Sequence, residues 1–186
     1  MSSLIRLIKS ISPNELRVAP KTARAHFPDD GSPYKPLMLL AVATKILDRH
    51  PGFLTARFKF DDVWPLFVRL HGELCPNVHR PVGPNIAAQP FWKLGAGTPL
   101  VWRLVPMPGQ ADALTNTMRK PSGSQVKSHA KLNRLVHCAE FPDADWWTIR
   151  DPICCEAIIS YLLASYFKDV DSARGLRTRL RRALEA

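Results

Sequence analysis

Several groups of side chains in this chain have the types and spacing that chemistry uses. His71-x3-Cys75-x3-His79 has the spacing of a metal-binding helix face. Gly72 and Pro76 are expected to break the helix that would align the three, and no CxxC or second Cys/His pair stands at finger spacing. No metal site is expected. His137-Cys138 sets a base beside a thiol, but sequence neighbours point in different directions on a helix and no third group orients them, so Cys138 reads as a structural thiol. Asp30, Asp61-Asp62 and Asp143-Ala144-Asp145 offer carboxylates of the kind a metal-dependent nuclease needs. Asp61 and Asp143 stand where helices or turns begin, which makes them capping residues first. No His/Asn set of the HNH type is found. The expectation is a binding protein with no catalytic residue and no cofactor.

His79-Arg80 is the pair that rises above a merely structural reading. It stands at the mouth of a Pro/Gly-rich loop, Pro81-Val82-Gly83-Pro84. Arginine presents a planar fork of donors that fits a phosphate or guanine O6/N7. A proline-bounded loop would hold it with little entropy to lose. The chain carries 26 Lys+Arg against 16 Asp+Glu, a net charge of +10, which favours nucleic acid or an anionic membrane surface; nucleic acid is the first partner to consider, and no membrane partner is expected. Lys120 and Lys127, on a polar stretch over 106–128 read as one long loop, are expected to touch phosphates. The arginines 174, 177, 179, 181 and 182 of a C-terminal helix either track phosphates or form a solvated face. Trp92, Trp102, Trp146 and Trp147 can stack bases, but Trp92 and Trp102 read as core, as does at least one of Trp146 and Trp147.

These residues need elements to position them. A length of 186 residues suits one domain with a sizeable core, and 46 % hydrophobic against 23 % charged residues is ordinary for a folded protein. The 17 prolines exclude long uninterrupted helices through much of the chain. A helix is expected from Pro33 to Pro51-Gly52, with Tyr34, Leu37, Met38, Ala41, Ile46 and Leu47 along one side. Phe58-Lys59-Phe60 alternates like a strand, and Asp61 is placed as the N-cap of a helix with Val63, Leu66, Phe67 and Leu70 inward. After a 72–89 loop, Phe91-Trp92-Lys93-Leu94 and 100–105 are read as the two strands of a hairpin. A helix over 129–138 and a strongly apolar one opened by Asp151-Pro152 follow.

The fold class expected is α+β: a mostly helical single domain with a small antiparallel hairpin, winged-helix-like in layout. Its parts are a helical lead-in over 1–30, a recognition domain over 31–170, and a basic helix over 171–186 packed on it. The expected core is Leu37, Leu40, Ile46, Val63, Phe67, Phe91, Trp102, Leu135, Ile158, Leu162 and Phe167. The longest apolar run, 37–43, is too short to span a bilayer, and Met1–Ser12 lacks a secretory cleavage site. Cys75, Cys138, Cys154 and Cys155 show no disulfide-scaffold spacing, and the adjacent pair reads as buried thiols. A cytoplasmic protein is expected.

In order and spacing, Tyr34-Lys35-Pro36-Leu37-Met38-Leu39-Leu40-Ala41, Phe60-Asp61-Asp62-Val63, Pro90-Phe91-Trp92-Lys93-Leu94, Trp102-Arg103-Leu104, Phe141-Pro142 and the 161–167 helix together resemble one family. It is the sulfur-binding domain found at the front of McrA-like HNH restriction endonucleases. The resemblance covers most of 33–168. It implies recognition of double-stranded DNA in which sulfur replaces a non-bridging phosphate oxygen. It places DNA contacts on His79 and Arg80, and a sulfur pocket on Phe141, Pro142 and Ala144. The chain departs from the family pattern where Phe141 lacks a tyrosine hydroxyl, and no HNH motif follows before Ala186. A free-standing reader, a fragment of a longer nuclease, or a subunit working with a separate nuclease effector would each fit. Without the resemblance, the alternatives are a generic basic winged-helix DNA- or RNA-binding protein with no preference for sulfur, a small nuclease using the aspartates, and a protein-binding adaptor.

Overall fold

The structure, a computed structural model, describes residues 34–75, 81–96, 100–120 and 126–167. The expected lead-in over 1–30 and basic helix over 171–186 lie outside the described residues, as do His79 and Arg80.

The chain builds outward from helix α1, Tyr34–Leu47. Ten of its residues are buried, including every one from Pro36 to Thr44. The one-sided stripe expected from sequence is therefore replaced by a helix covered all round, which is what a run as apolar as Leu37–Ala43 demands. Pro36 sits in the first turn, where its missing N–H removes nothing from the helix ladder. Buried Thr44 satisfies its hydroxyl by donating to the Leu40 carbonyl at 2.8 Å.

A 3-10 turn, Pro51–Phe53, leads to strand β1, Arg57–Phe58. Helix α2, Phe60–Leu74, follows directly. Phe60 opens this helix instead of continuing a strand, and Lys59, not Asp61, is its N-cap. Asp61 and Asp62 fall in the first turn, where carboxylates favour the positive end of the helix dipole. Phe60, Val63, Phe67, Leu70 and Leu74 recur at helical spacing and pack on α1. The helix runs through Gly72, so that residue does not break it.

The largest departure from expectation is helix α3, Pro84–Ala96. Phe91-Trp92-Lys93-Leu94 belongs to this helix and not to a hairpin strand. Ala87, Ala88, Phe91, Trp92, Leu94 and Gly95 are buried, a 3–4 periodicity that the aromatic run and Pro90 disguise. Strand β2 is Arg103–Pro106, and its partner is not 91–94 but the later strand β3, Val136–Glu140. The polar 106–128 stretch contains helix α4, Ala111–Met118. Helix α5, His129–Leu135, stops at the start of β3, so the expected helix over 129–138 ends three residues early. The three strands form an antiparallel sheet in the order β1-β3-β2. The register slips at Val105/Pro106, where proline has no N–H for the ladder.

Helix α6, Asp143–Arg150, and helix α7, Pro152–Tyr166, complete the described chain. Asp151 caps α7, accepting from the Cys154 N–H at 2.8 Å, with Pro152 at the first helical position. Pro142, not Asp143, is the N-cap of α6. Among the described residues, seven α-helices and a small three-stranded antiparallel sheet around one core make this a mostly helical α+β domain. The winged-helix hairpin is not among the described elements.

All eleven expected core residues are buried, none more than 5 % exposed. Where helices meet sheet the core is aromatic: Phe58 stacks on Phe53 at 5.1 Å and meets Trp102 edge-on at 5.4 Å. Cys75, Cys138 and Cys155 are buried thiols, those of Cys75 and Cys155 pushed up to about 12 by burial. Cys154 is only half-buried, and no disulfide joins the four. No helix among the described residues is long and apolar enough to cross a membrane.

Candidate nucleic-acid interface

The outer face of the small sheet begins with a row of three charged side chains. Register places Arg57 of β1 and Arg103 of β2 on either side of Glu140 of β3. Opposed residues on antiparallel strands bring their Cβ atoms to about 4.5–5.5 Å, close enough for long side chains to pair. Arg57 Nε donates to Glu140 Oε1 at 2.7 Å. Arg103 donates to Oε2 through Nε at 3.1 Å and through Nη2. The hydrogen bonds from Arg103, then those from Arg57, hold the Glu140 carboxyl below its usual range. Glu140 is mostly covered, with its side chain 16 % exposed, whereas the arginines are 63 % and 73 % exposed. Most of their guanidinium donors therefore remain available at the surface, oriented by the carboxylate between them.

This row adjoins the turn that the sequence singled out. The Phe141 N–H donates to the Ala56 carbonyl at 3.0 Å, tying the end of β3 to the residue before Arg57. Pro142, Asp143 and Ala144 then stand exposed at the start of α6. Phe141 does not share their surface. It is 1 % exposed and packs among Phe58, Trp102 and Trp146, with centroids 5.3–6.5 Å away. Of the three residues expected to cradle sulfur, the structure thus presents Pro142 and Ala144 outward and gives Phe141 the task of anchoring them. Trp147, one turn along α6, is 65 % exposed and carries the Arg150 guanidinium 5.5 Å above its ring.

A second polar assembly lies where α2, α3 and α5 converge. His129 Nε2 lies 2.8 Å from Asp61 Oδ1, and Asn133 Nδ2 lies 2.8 Å from the same imidazole nitrogen and 3.2 Å from Asp61 Oδ2. Asn85, at the start of α3, accepts the His129 backbone N–H at 2.9 Å. Ser128 caps α5 by accepting from the Lys131 N–H at 3.3 Å. Asp61 and Asn133 also edge a groove of about 220 Å³ whose walls include Lys59, His137 and Cys138.

Of the expected DNA contacts, Lys120 and Lys127 are described and exposed. Lys127 immediately precedes the Ser128 cap, and Lys120 follows α4. Described chain resumes at Pro81, directly after Arg80, and reaches Asn85 within the first turn of α3. His71 on α2 and Cys75 at its C-cap, by contrast, are buried, with His71 against the Tyr34 ring at 5.8 Å. Among the described residues no three His, Cys, Asp or Glu side chains gather as a metal-binding group.

Sequence reasoning missed Arg57, Arg103 and Glu140 because their row exists only through strand pairing. It also missed His129 and Asn133. Their i, i+4 spacing is visible in sequence, but Asp61 lies 68 residues away from His129. No protein-family model, no curated protein and no solved structure matches this chain.

Proposed function

We propose that this chain binds double-stranded DNA and recognises a phosphorothioate in its backbone. The observation that carries the reading is the adjacency, at one end of the sheet, of the exposed Arg57 and Arg103 guanidinium groups and the exposed Pro142–Ala144 step. A phosphorothioate keeps its negative charge, so cationic donors still bind it. Its sulfur is larger and a poorer hydrogen-bond acceptor than oxygen, so an apolar proline ring and methyl group penalise it less than a phosphate oxygen that must shed water. Donors beside the Pro142 ring and the Ala144 methyl answer both halves of the ligand, with the exposed Asp143 carboxylate standing between those two apolar groups. Arg57 engages Glu140 through Nε alone, which leaves its two terminal amino groups for a phosphate. His79 and Arg80, which precede α3 in the sequence, would supply further backbone or guanine contacts, and Lys120 and Lys127 would hold flanking phosphates.

The family resemblance supports the same reading, with one revision: Phe141 acts from beneath the pocket and not as its wall. A separate nuclease effector would supply any cleavage. A second reading, a basic DNA binder indifferent to sulfur, rests on the net charge of +10 alone.

The test is a titration of the full chain with two duplexes that differ in a single phosphorothioate, at physiological salt. Preference for the modified duplex by about a hundredfold corresponds to about 3 kcal/mol. Equal affinity with steep salt dependence would leave the second reading, and no binding to either would remove both.

A further inference from the structure

We propose that Asp61, His129 and Asn133 form a binding site for a divalent transition-metal ion. Three side chains from two helices meet here through four atoms, His129 Nε2, Asn133 Nδ2 and the two Asp61 carboxylate oxygens, at 2.8, 2.8 and 3.2 Å. Hydrogen bonding cannot satisfy all three contacts together. If His129 Nε2 carries a proton and donates to Asp61, it presents an N–H to the Asn133 amino group, which is also a donor. If Nε2 is bare and accepts from Asn133, its lone pair faces the Asp61 oxygen. Turning the amide over puts Asn133 Oδ1 against Asp61 Oδ2, acceptor against acceptor.

A cation resolves the conflict, because every one of these groups can then point a lone pair inward: carboxylate oxygen, imidazole nitrogen and, after the amide turns, carbonyl oxygen. The separations fit. Ligand atoms about 2.1 Å from a metal at right angles to one another are about 3.0 Å apart. His129 and Asn133 share one face of α5 through their i, i+4 spacing, the same device that sets two ligands of a helical zinc site. The His129 ring rests against Phe60 at 5.3 Å, and its backbone is fixed by Asn85, so the donor set is held from outside.

The chemistry of the set selects the ion. One imidazole with two oxygen ligands suits Mn2+, Co2+ or Zn2+ better than Ca2+, which takes six to eight oxygens at longer range. Asp61 is 56 % exposed on its side chain and His129 31 %, so an ion has a path in and keeps positions open to solvent. With one carboxylate among the ligands, an ion here retains positive charge. Beside Lys59 it would take water or an anionic oxygen in those positions. The site stands independently of sulfur recognition.

The experiment is a titration of the untagged full chain with Mn2+, followed by electron paramagnetic resonance, and with Co2+, followed by absorption. One ion per chain at sub-millimolar affinity is expected. Asp61→Asn and His129→Gln should each weaken it at least tenfold, while Asp62→Asn, which removes the neighbouring carboxylate, should leave it unchanged. Mn2+ should also broaden the His129 ring resonances of the wild-type protein selectively among its six histidines, a reading that does not depend on any variant folding. No binding of either ion at millimolar concentration, broadening centred on another histidine, or equal binding by a folded Asp61→Asn variant would overturn the proposal.

Discussion

The indole N–H of Trp102 donates to the backbone carbonyl of Phe91 at 3.2 Å, with both side chains buried. Sequence pattern pairs these residues as neighbouring strands of a hairpin. They do meet, but as a helix residue and the lead-in to β2, and their contact locks α3 against the sheet. Trp102→Ala removes the ring and the hydrogen bond together. It should destabilise the fold by about 3–5 kcal/mol, seen as a lower midpoint in urea with the cooperative transition retained.

The same junction depends on a missing side chain. A Cβ on Gly95 would lie 2.6 Å from Leu104 Cγ and Cδ2 and 2.8 Å from Trp102 Cδ1. Gly95→Ala would improve local helix propensity, yet the overlap should dominate and cost about 1–3 kcal/mol. Equal or higher thermal stability of the variant would show that the α3–β2 packing is looser than described.

Phe141 and Pro142 are adjacent but should separate in their effects. Phe141→Ala opens a cavity beneath the turn and should lose about 3–5 kcal/mol of stability. Pro142→Glu sits on the surface and should change stability by no more than about 1 kcal/mol. It should nevertheless abolish the preference for a phosphorothioate duplex over its oxygen counterpart, because a second carboxylate beside Asp143 would replace the apolar proline ring against the modified linkage. A preference left intact in that variant would show that sulfur is not read at this turn.

Lys127→Ala tests a contact of another kind. A phosphate contact carries no preference for sulfur, so affinity should fall alike for both duplexes. The slope of log affinity against log salt should shrink by about 0.9. A change in the sulfur preference itself would move Lys127 into the recognition site.

His71 should make the fold sensitive to acid. Burial, with the Tyr34 ring against it, lowers its pKa, and its Nε2 has no hydrogen-bond partner to hold a proton. In the unfolded chain the ring titrates near its ordinary value of about 6.5. Below that pH the unfolded state binds a proton that the folded state refuses, so stability falls as pH drops until the folded-state pKa is reached, and is fully present above the ordinary value. Melting curves between pH 7.5 and about 5 should show this loss, and His71→Leu should flatten it.

What the sequence determined by itself was the burial pattern. Leu37, Phe67, Phe91, Trp102 and Leu162 are too large and too apolar to leave in water, and any fold of this chain must enclose them. Strongly apolar helices with a clean start, such as the one capped by Asp151 and opened by Pro152, were legible for the same local reasons. Tertiary structure decided which secondary structure Phe91–Leu94 adopts, because a short aromatic run after a proline fits a strand or a buried helix equally well until its neighbours are present. It decided that Phe141 faces inward while Pro142 and Ala144 face out. It alone assembled Arg57 with Glu140 and Arg103, and Asp61 with His129 and Asn133. Such pairs are fixed by strand register and helix packing between segments far apart in the chain, and local pattern carries no information about either.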